Sequence, residues 1–257
     1  MSPYRIWIAF YTIVRKETVR IFRIWSQTLL PSVVTNSLYY VIFGGLIGSQ
    51  IAPMQGYSYM QFIVPGIVMM SVITNAYSNV VSSFFGAKFQ RNLEELMVSP
   101  TPYLVVIAGY VMGGIVRGLS VGAIVLLVSL FFTHLVIFNV WLVLLFILLT
   151  AITFSLAGLL NGIFAKGFDS VSIVPIFVLT PLTYLGGVFY SIALLPPFWQ
   201  LVSKFNPILY MVNGFRYGFL GISDVNVGFS FVVLAGLSTV LLLANLYLFK
   251  KGYGLRN

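Results

Sequence analysis

Long apolar runs separated by short polar gaps pattern the whole chain. The runs fall at about residues 29–47, 60–83, 103–132, 140–160, 171–190 and 230–249. Roughly 20 helical residues at 1.5 Å rise cross the ~30 Å hydrocarbon layer of a bilayer. Each run therefore predicts one transmembrane helix, six in all. Residues 4–25 differ in pattern: Ile6, Phe10, Ile13, Ile21 and Trp25 form one stripe, broken by Glu17, and Arg15, Lys16, Arg20 and Arg23 occupy much of the remainder. This predicts an amphipathic helix lying in the membrane interface, whose bases also serve as a flank that sets topology. The chain thus divides into an amphipathic unit at 1–28 and a six-span domain at 29–257.

Three interruptions of the apolar pattern stand out. Residues 84–100, FFGAKFQRNLEELMVSP, lie between the second and third runs. At helical spacing Leu93, Leu96 and Met97 share one side, and Lys88 and Arg91 face away with Glu95. Pro100 and Pro102 stop the helix, so a short polar helix at the membrane surface is expected over 84–100. The third run is longer than a span requires. It holds Gly114, Gly118 and Gly122 at four-residue spacing, suited to close helix contact, and Arg117, which costs ~2.5–3.5 kcal/mol in lipid on insertion scales. Arg117 either reaches the interface on a projecting helix or faces the protein interior. Residues 191–229 mix Pro196, Pro197, Trp199, Lys204, Asn206, Pro207, Asn213, Arg216 and Asp224 with apolar residues. Too polar for a plain span and too apolar for a solvated loop, they predict two short helices dipping into the outer leaflet, broken at Asn206-Pro207.

Composition sharpens this picture. The chain is 60% apolar and 7% charged, where a soluble domain carries about 25% charged residues. The fold class is an all-α integral membrane protein. The net charge of +9 sits in short gaps rather than on a soluble face, which argues for membrane orientation and against nucleic acid. Eleven bases lie in the first segment, the 84–102 and 161–170 gaps and the tail (Lys250, Lys251, Arg256), against only Lys204 and Arg216 in the opposite-side segments. Both termini are therefore expected in the cytoplasm, and the basic N-terminal stretch shows no cleavable signal.

Catalytic chemistry is hard to find. The chain has no cysteine, which removes disulfides and thiolate metal sites. Its one histidine, His134, falls in an outer turn and reads as an ordinary interfacial residue. The five acids are Glu17, Glu94, Glu95, Asp169 and Asp224, and none lies in a predicted span; Asp169 reads as a loop or cap residue. No phosphate-cradling loop, carboxylate pair, metal cluster or Ser-His-Asp set is present, so the chain is expected to be neither an enzyme nor an ion-coupled carrier and to hold no cofactor. Any energy would come from a partner docking on the cytoplasmic side, where helix 84–100 offers the best surface. A membrane scaffold recruiting a partner without movement is the alternative; the missing charge ring argues against an autonomous channel.

Three blocks carry a resemblance: FIVPGI at 62–67, RNLEELMVSP at 91–100, and PLTYLGGVFY at 181–190 running through LLPPFWQ at 194–200 to FNPILYMVNGFR at 205–216. In that order and spacing they resemble ABC-2 type permeases, the membrane subunits of ATP-binding-cassette exporters, and are particularly similar to inner-membrane transport permeases of enteric bacteria. The resemblance implies a type V exporter-like fold with an N-terminal connecting helix, six spans, a cytoplasmic coupling helix and outer re-entrant helices. It also implies two permease copies around a central route and two ABC ATPase subunits beneath, which hold the ATP and Mg2+. By resemblance, Arg91, Glu94, Glu95, Leu96 and Pro100 belong to the coupling helix, and Pro181, Gly187, Pro196, Pro197, Asn206, Pro207, Tyr210 and Arg216 to the re-entrant region closing the route. The family's Gly-Thr-Leu-Glu stretch is replaced here by Asn92-Leu93-Glu94.

On this reading ATP binding closes the partner dimer and pushes both copies of helix 84–100, tilting spans two and three. Phe84, Phe85, Leu93 and Leu96 are the expected apolar anchors, and Lys88, Arg91, Glu94 and Glu95 the charges that fix register. The aromatic, largely uncharged spans favour an amphipathic or lipid-like solute in contact with membrane lipids. Tyr39, Tyr40, Phe43, Tyr77, Phe177, Tyr184 and Phe189 are candidates to line its route, the alternative for each being packing or lipid contact.

Overall fold

A computed structural model describes residues 2–254 of the chain; Arg256, counted above among the tail bases, lies outside them. Helix α1 (Pro3–Arg23) starts on a proline in its first turn, where a missing N–H is harmless. Breaks at Ile24 and Leu29 separate it from α2 (Trp25–Thr28) and α3 (Leu30–Tyr39), and α3 continues into a π-helical stretch, Tyr40–Ile47. Helix α4 (Tyr59–Phe89) opens on a capping box in which Gln61 N donates to Ser58 Oγ and Ser58 N to Gln61 Oε1. The short α5 (Asn92–Val98) leads to α6 (Tyr103–Ser129) and α7 (Val140–Phe164). Short helices α8 (Phe168–Val174), α9 (Thr180–Tyr184) and α10 (Pro197–Lys204) precede α11 (Pro207–Leu220) and α12 (Val227–Lys251).

Among the described residues five helical stretches are long and apolar enough to cross a membrane: Trp25–Ile47, Tyr59–Phe89, Tyr103–Ser129, Val140–Phe164 and Val227–Lys251. The predicted fifth run, 171–190, is a shorter apolar stretch, Phe168–Tyr184, divided into α8, a π-helical segment at Pro175–Leu179, and α9. Pro175 and Pro181 explain the division, since each removes a helical hydrogen-bond donor. The expected single helix 84–100 is also two pieces. α4 runs on through Phe89, and Gln90 and Arg91 turn the chain into α5, with Arg91 in the left-handed region at φ 61°.

The core is built around α4, and two stripes on it explain why. Val72, Ala76 and Val80 face the glycines of α6: a Cβ added at Gly118 would lie 3.1 Å from Ala76 Cβ, and one at Gly122 would lie 2.7 Å from Val72 Cγ2. Only hydrogen at these positions lets the two backbones approach so closely. A second pair on α6 receives α1, since a Cβ at Gly109 or Gly113 would strike Ile13 or Glu17. The other stripe of α4 is polar: Ser71, Asn75, Asn79 and Ser83, again at four-residue spacing, all turned toward protein rather than lipid.

The two ends of the bundle differ. One gathers α1, the α4–α5–α6 corner, the α7–α8 junction and the end of α12, where the Phe249 ring packs against Phe84 and Tyr103. The other gathers the residues before α4, the turn between α6 and α7, and the tract around α10 and α11. There Tyr57 Oη donates to Leu220 O at 2.7 Å and Phe138 N to Phe219 O at 3.0 Å. The basic gaps lie at the first end and Lys204 and Arg216 at the second.

Candidate functional site

At the basic end, most of the expected docking anchors serve the protomer itself. Phe84 is buried, its ring edge-on to Tyr110 at 5.3 Å, and Phe85 meets Phe168 edge-on at 5.1 Å. Leu93 is 1% exposed and pins α5 against Phe84, Val106 and Ile107. Lys88, expected to face outward, is 7% exposed and donates to Ile163 O at 2.8 Å and Ala165 O at 3.0 Å, so it caps the end of α7. Leu96 is half-buried. What remains on the surface is Arg91, Glu94, Glu95 and Pro100, joined by Phe89 and Val98, which sequence reading did not select. Glu94 and Glu95 sit in the first turn of α5, where the helix dipole favours negative charge. Beneath them a cavity of about 410 Å3 separates α5 from α1, lined by Lys16, Glu17, Asn92, Glu95 and Tyr110 among others.

The polar stripe of α4 carries a network that sequence reading missed. Glu17, taken above as a break in an apolar stripe, is 1% exposed; its Oε1 accepts from Ser83 Oγ at 2.7 Å and its Oε2 from Arg20 Nη2 at 2.8 Å. Arg20 also donates to Asn79 Oδ1 at 2.8 Å. Arg117 takes the inward of its two placements: Nε donates to Asn75 Oδ1 at 3.2 Å and Nη2 to Thr28 O at 3.3 Å. The signal available beforehand was the spacing of Ser71, Asn75, Asn79 and Ser83 on one helix face.

A lateral groove of about 340 Å3 opens between α3, α4 and the α8–α9 segment. Polar groups line it on both walls, Ser32, Thr35, Asn36, Thr74, Asn75 and Thr183, with Tyr39 and Tyr184 at one end, their hydroxyls 3.5 Å apart. The Phe189 ring lies 5.8 Å from Tyr39, 4.9 Å from Phe43 and 6.0 Å from Tyr184, so four of the seven route candidates form one aromatic cluster. Tyr40 and Tyr77 do not belong to it: both are buried in the protomer core, and Tyr40 Oη donates to Val125 O at 3.4 Å. Phe177 points away, 72% exposed.

At the opposite end Arg216 is fully enclosed. Its Nη2 donates to Gly187 O at 2.7 Å, its Nε to Phe62 O at 3.3 Å, and its guanidinium lies 3.8 Å from the centre of the Phe62 ring. Gly187 adopts φ 71°, which turns its carbonyl into this position without a Cβ clash. Asn206 caps α11 by accepting from Ile208 N at 3.0 Å, and Tyr210 Oη donates to Lys204 O at 2.7 Å, fixing α10 against α11. Pro196 and Pro197, both exposed, start α10. Asp224 ties the tract together, accepting from Ser191 Oγ, Ile192 N and Gln55 Nε2 at 2.6, 3.0 and 3.0 Å.

Residues 8–220, from α1 to the end of α11, match the family described as ABC-2 type transporter. The chain belongs to that family. It is 61% identical over 251 residues to the inner membrane transport permease YadH of Escherichia coli (strain K12), covering 98% of each chain, and equally similar to YadH of Shigella flexneri. Nodulation protein J of Rhizobium leguminosarum bv. viciae is 24% identical over 216 residues, covering 79% of this chain and 80% of that one. As an ABC-2 protein the chain is the membrane permease component of an ABC transport system. Among the described residues no group of His, Asp and Glu is placed to hold a metal. Of the blocks that carry the resemblance, 62–67 and the tract from 181 to 216 meet in space, supplying Phe62, Gly187 and Arg216 to one contact, whereas 91–100 lies at the other end of the bundle.

Proposed function

We propose that two copies of this chain form the membrane part of an ATP-driven exporter of the bacterial inner membrane, moving an amphipathic or lipid-like solute. Two separate ABC ATPase subunits, holding ATP and Mg2+, dock on the end that carries α1 and α5, which faces the cytoplasm together with both termini. The α8–α9 segment makes a short sixth crossing. The α10–α11 tract, held by Arg216 and Asp224, closes the route on the far side.

One observation carries the docking assignment. Arg91, Glu94 and Glu95 project from the corner that joins two spans, and among the described residues none of the three side chains has a hydrogen-bond or ion-pair partner. Unpaired charges of both signs on a short helix fit a surface that gains partners on assembly. The lateral groove, flanked by a first span that leaves most of its surface uncovered, supports a route lined by both copies. The name of YadH, an inner membrane transport permease, agrees with the compartment.

Affinity purification of the tagged chain from native membranes tests the proposal. An ABC ATPase should co-purify in equal amount, with hydrolysis stimulated by the transported amphiphile. Recovery of the intact chain with no such ATPase would leave only a scaffold role.

A further inference from the structure

No carboxylate among the described residues pairs with Arg117. Among the described residues the one ion pair is Arg20 with Glu17, whereas the two groups that Arg117 reaches, Asn75 Oδ1 and Thr28 O, are neutral, and its Nη1 makes no hydrogen bond. A cation within a membrane span is costly unless paired, and replacing a carboxylate partner by two neutral acceptors leaves its field unscreened in a medium of low dielectric. Glu17 and Arg20 neutralise each other, so Arg117, bonded to the groove residue Asn75, keeps its positive charge.

The groove is built toward that charge. Asn75 belongs to its wall and at the same time holds Arg117 Nε. Ser32, hydrogen-bonded to Asn75 at 3.0 Å, adds a hydroxyl, and no acidic side chain lines the groove. A second, independent feature points to a ligand: Asn36, 5% exposed and on the same wall, donates to Ser32 O but leaves its Oδ1 without a partner. A buried acceptor left open costs free energy that a donor on a bound molecule would recover. Beside the hydroxyl side chains, the lining offers apolar and aromatic surface from Tyr39, Ile176, Leu179 and Tyr184.

We infer that the groove binds an amphiphile whose headgroup is an anion that also offers a donor, such as a phosphate monoester. The anion lies near Ser32 and Asn75 under the charge of Arg117, its O–H reaches Asn36 Oδ1, and its apolar chain runs along Leu179 and Tyr184. This names the solute class for the route proposed above and rests on that reading.

The test uses the full chain in nanodiscs of phosphatidylcholine and three photoreactive probes of one alkyl length, bearing a phosphate, a neutral sugar or a trimethylammonium headgroup. The phosphate probe should label groove peptides within 31–39 and 70–75 at roughly tenfold lower concentration than the other two. Arg117→Gln should abolish that preference, and Arg117→Lys, which keeps the charge, should retain most of it. Equal labelling by the three headgroups, or an unchanged preference in Arg117→Gln, would overturn the anionic assignment while leaving the groove as a route. Displacement of the phosphate probe by millimolar inorganic phosphate alone would overturn the amphiphile. Labelling by all probes elsewhere and never in the groove would remove the route itself.

Discussion

Lys88 Nζ stands 2.8 Å from the carbonyl oxygen of Ile163, and through this bond the polar end of α4 is fastened to the end of α7. Helix ends leave carbonyls without donors, and here a cation from a residue 75 positions earlier in the chain supplies one. The corner that bears α5 is therefore braced against a third span as well as the two it joins. Lys88→Met keeps the stem but leaves Ile163 O and Ala165 O without this donor. The expected loss is about 1–3 kcal/mol, seen as a lower unfolding temperature of the purified chain in detergent. An unchanged melting curve would mean that water replaces the ammonium without cost.

The glycine ladder gives a second expectation. Gly118→Leu places a side chain where a Cβ alone lies 3.1 Å from Ala76 Cβ and 3.3 Å from Val72 O. α6 must then withdraw from α4, at a cost above the ~1–3 kcal/mol of ordinary overpacking. Gly236→Ala on α12, with no neighbour within 4 Å of the added atom, is the matched control. Monodisperse yield on size exclusion should fall for the first and hold for the second.

Charge reversal separates docking from folding. Glu94→Lys combined with Glu95→Lys alters exposed side chains only, so insertion should be unchanged and melting should fall by no more than about 1–2 kcal/mol, the cost of placing cations in the first turn of α5. Co-purification of the ATPase should fall severalfold, or its hydrolysis should lose its response to solute. Full retention of both would remove α5 from the interface.

Absence of native cysteine makes the sidedness directly measurable. Phe131→Cys, at a position 87% exposed between α6 and α7, and Lys166→Cys, exposed between α7 and α8, lie at opposite ends of the bundle. In intact cells an impermeant maleimide should label the first and not the second. Labelling of both, or of Lys166→Cys alone, would reverse the orientation.

Long spans were legible because crossing a bilayer demands only length and apolarity, and runs such as 140–160 and 230–249 satisfy both without reference to neighbours. The fifth run was less so, since Pro175 and Pro181 break its helix without lowering its apolarity much. The inward or outward facing of single residues was mostly hidden. In a helix that is apolar all round, Phe84 bound for a protomer core and Phe84 bound for a partner look alike. Lys88 was misassigned for the opposite reason: local periodicity turned it to water, and carbonyls from α7 turned it inward. Tyr40 and Tyr77 were indistinguishable from Tyr39 by type, and only the packing of α3 against α4 and α6 separates them. Arg117 was legible as an oddity and Asn75 not at all, although the four-residue polar spacing on α4 was there to be read.

The backbone on either side of α5 carries one more consequence. On one side Arg91 holds a left-handed conformation, which costs a residue with a side chain roughly 1–2 kcal/mol. On the other, Pro100 and Pro102 restrict φ around Thr101. Neither joint contains glycine, so each has fewer backbone conformations open to it than a glycine hinge would. If a partner loads α5, as proposed, these joints favour passing the movement on to the two long helices it connects.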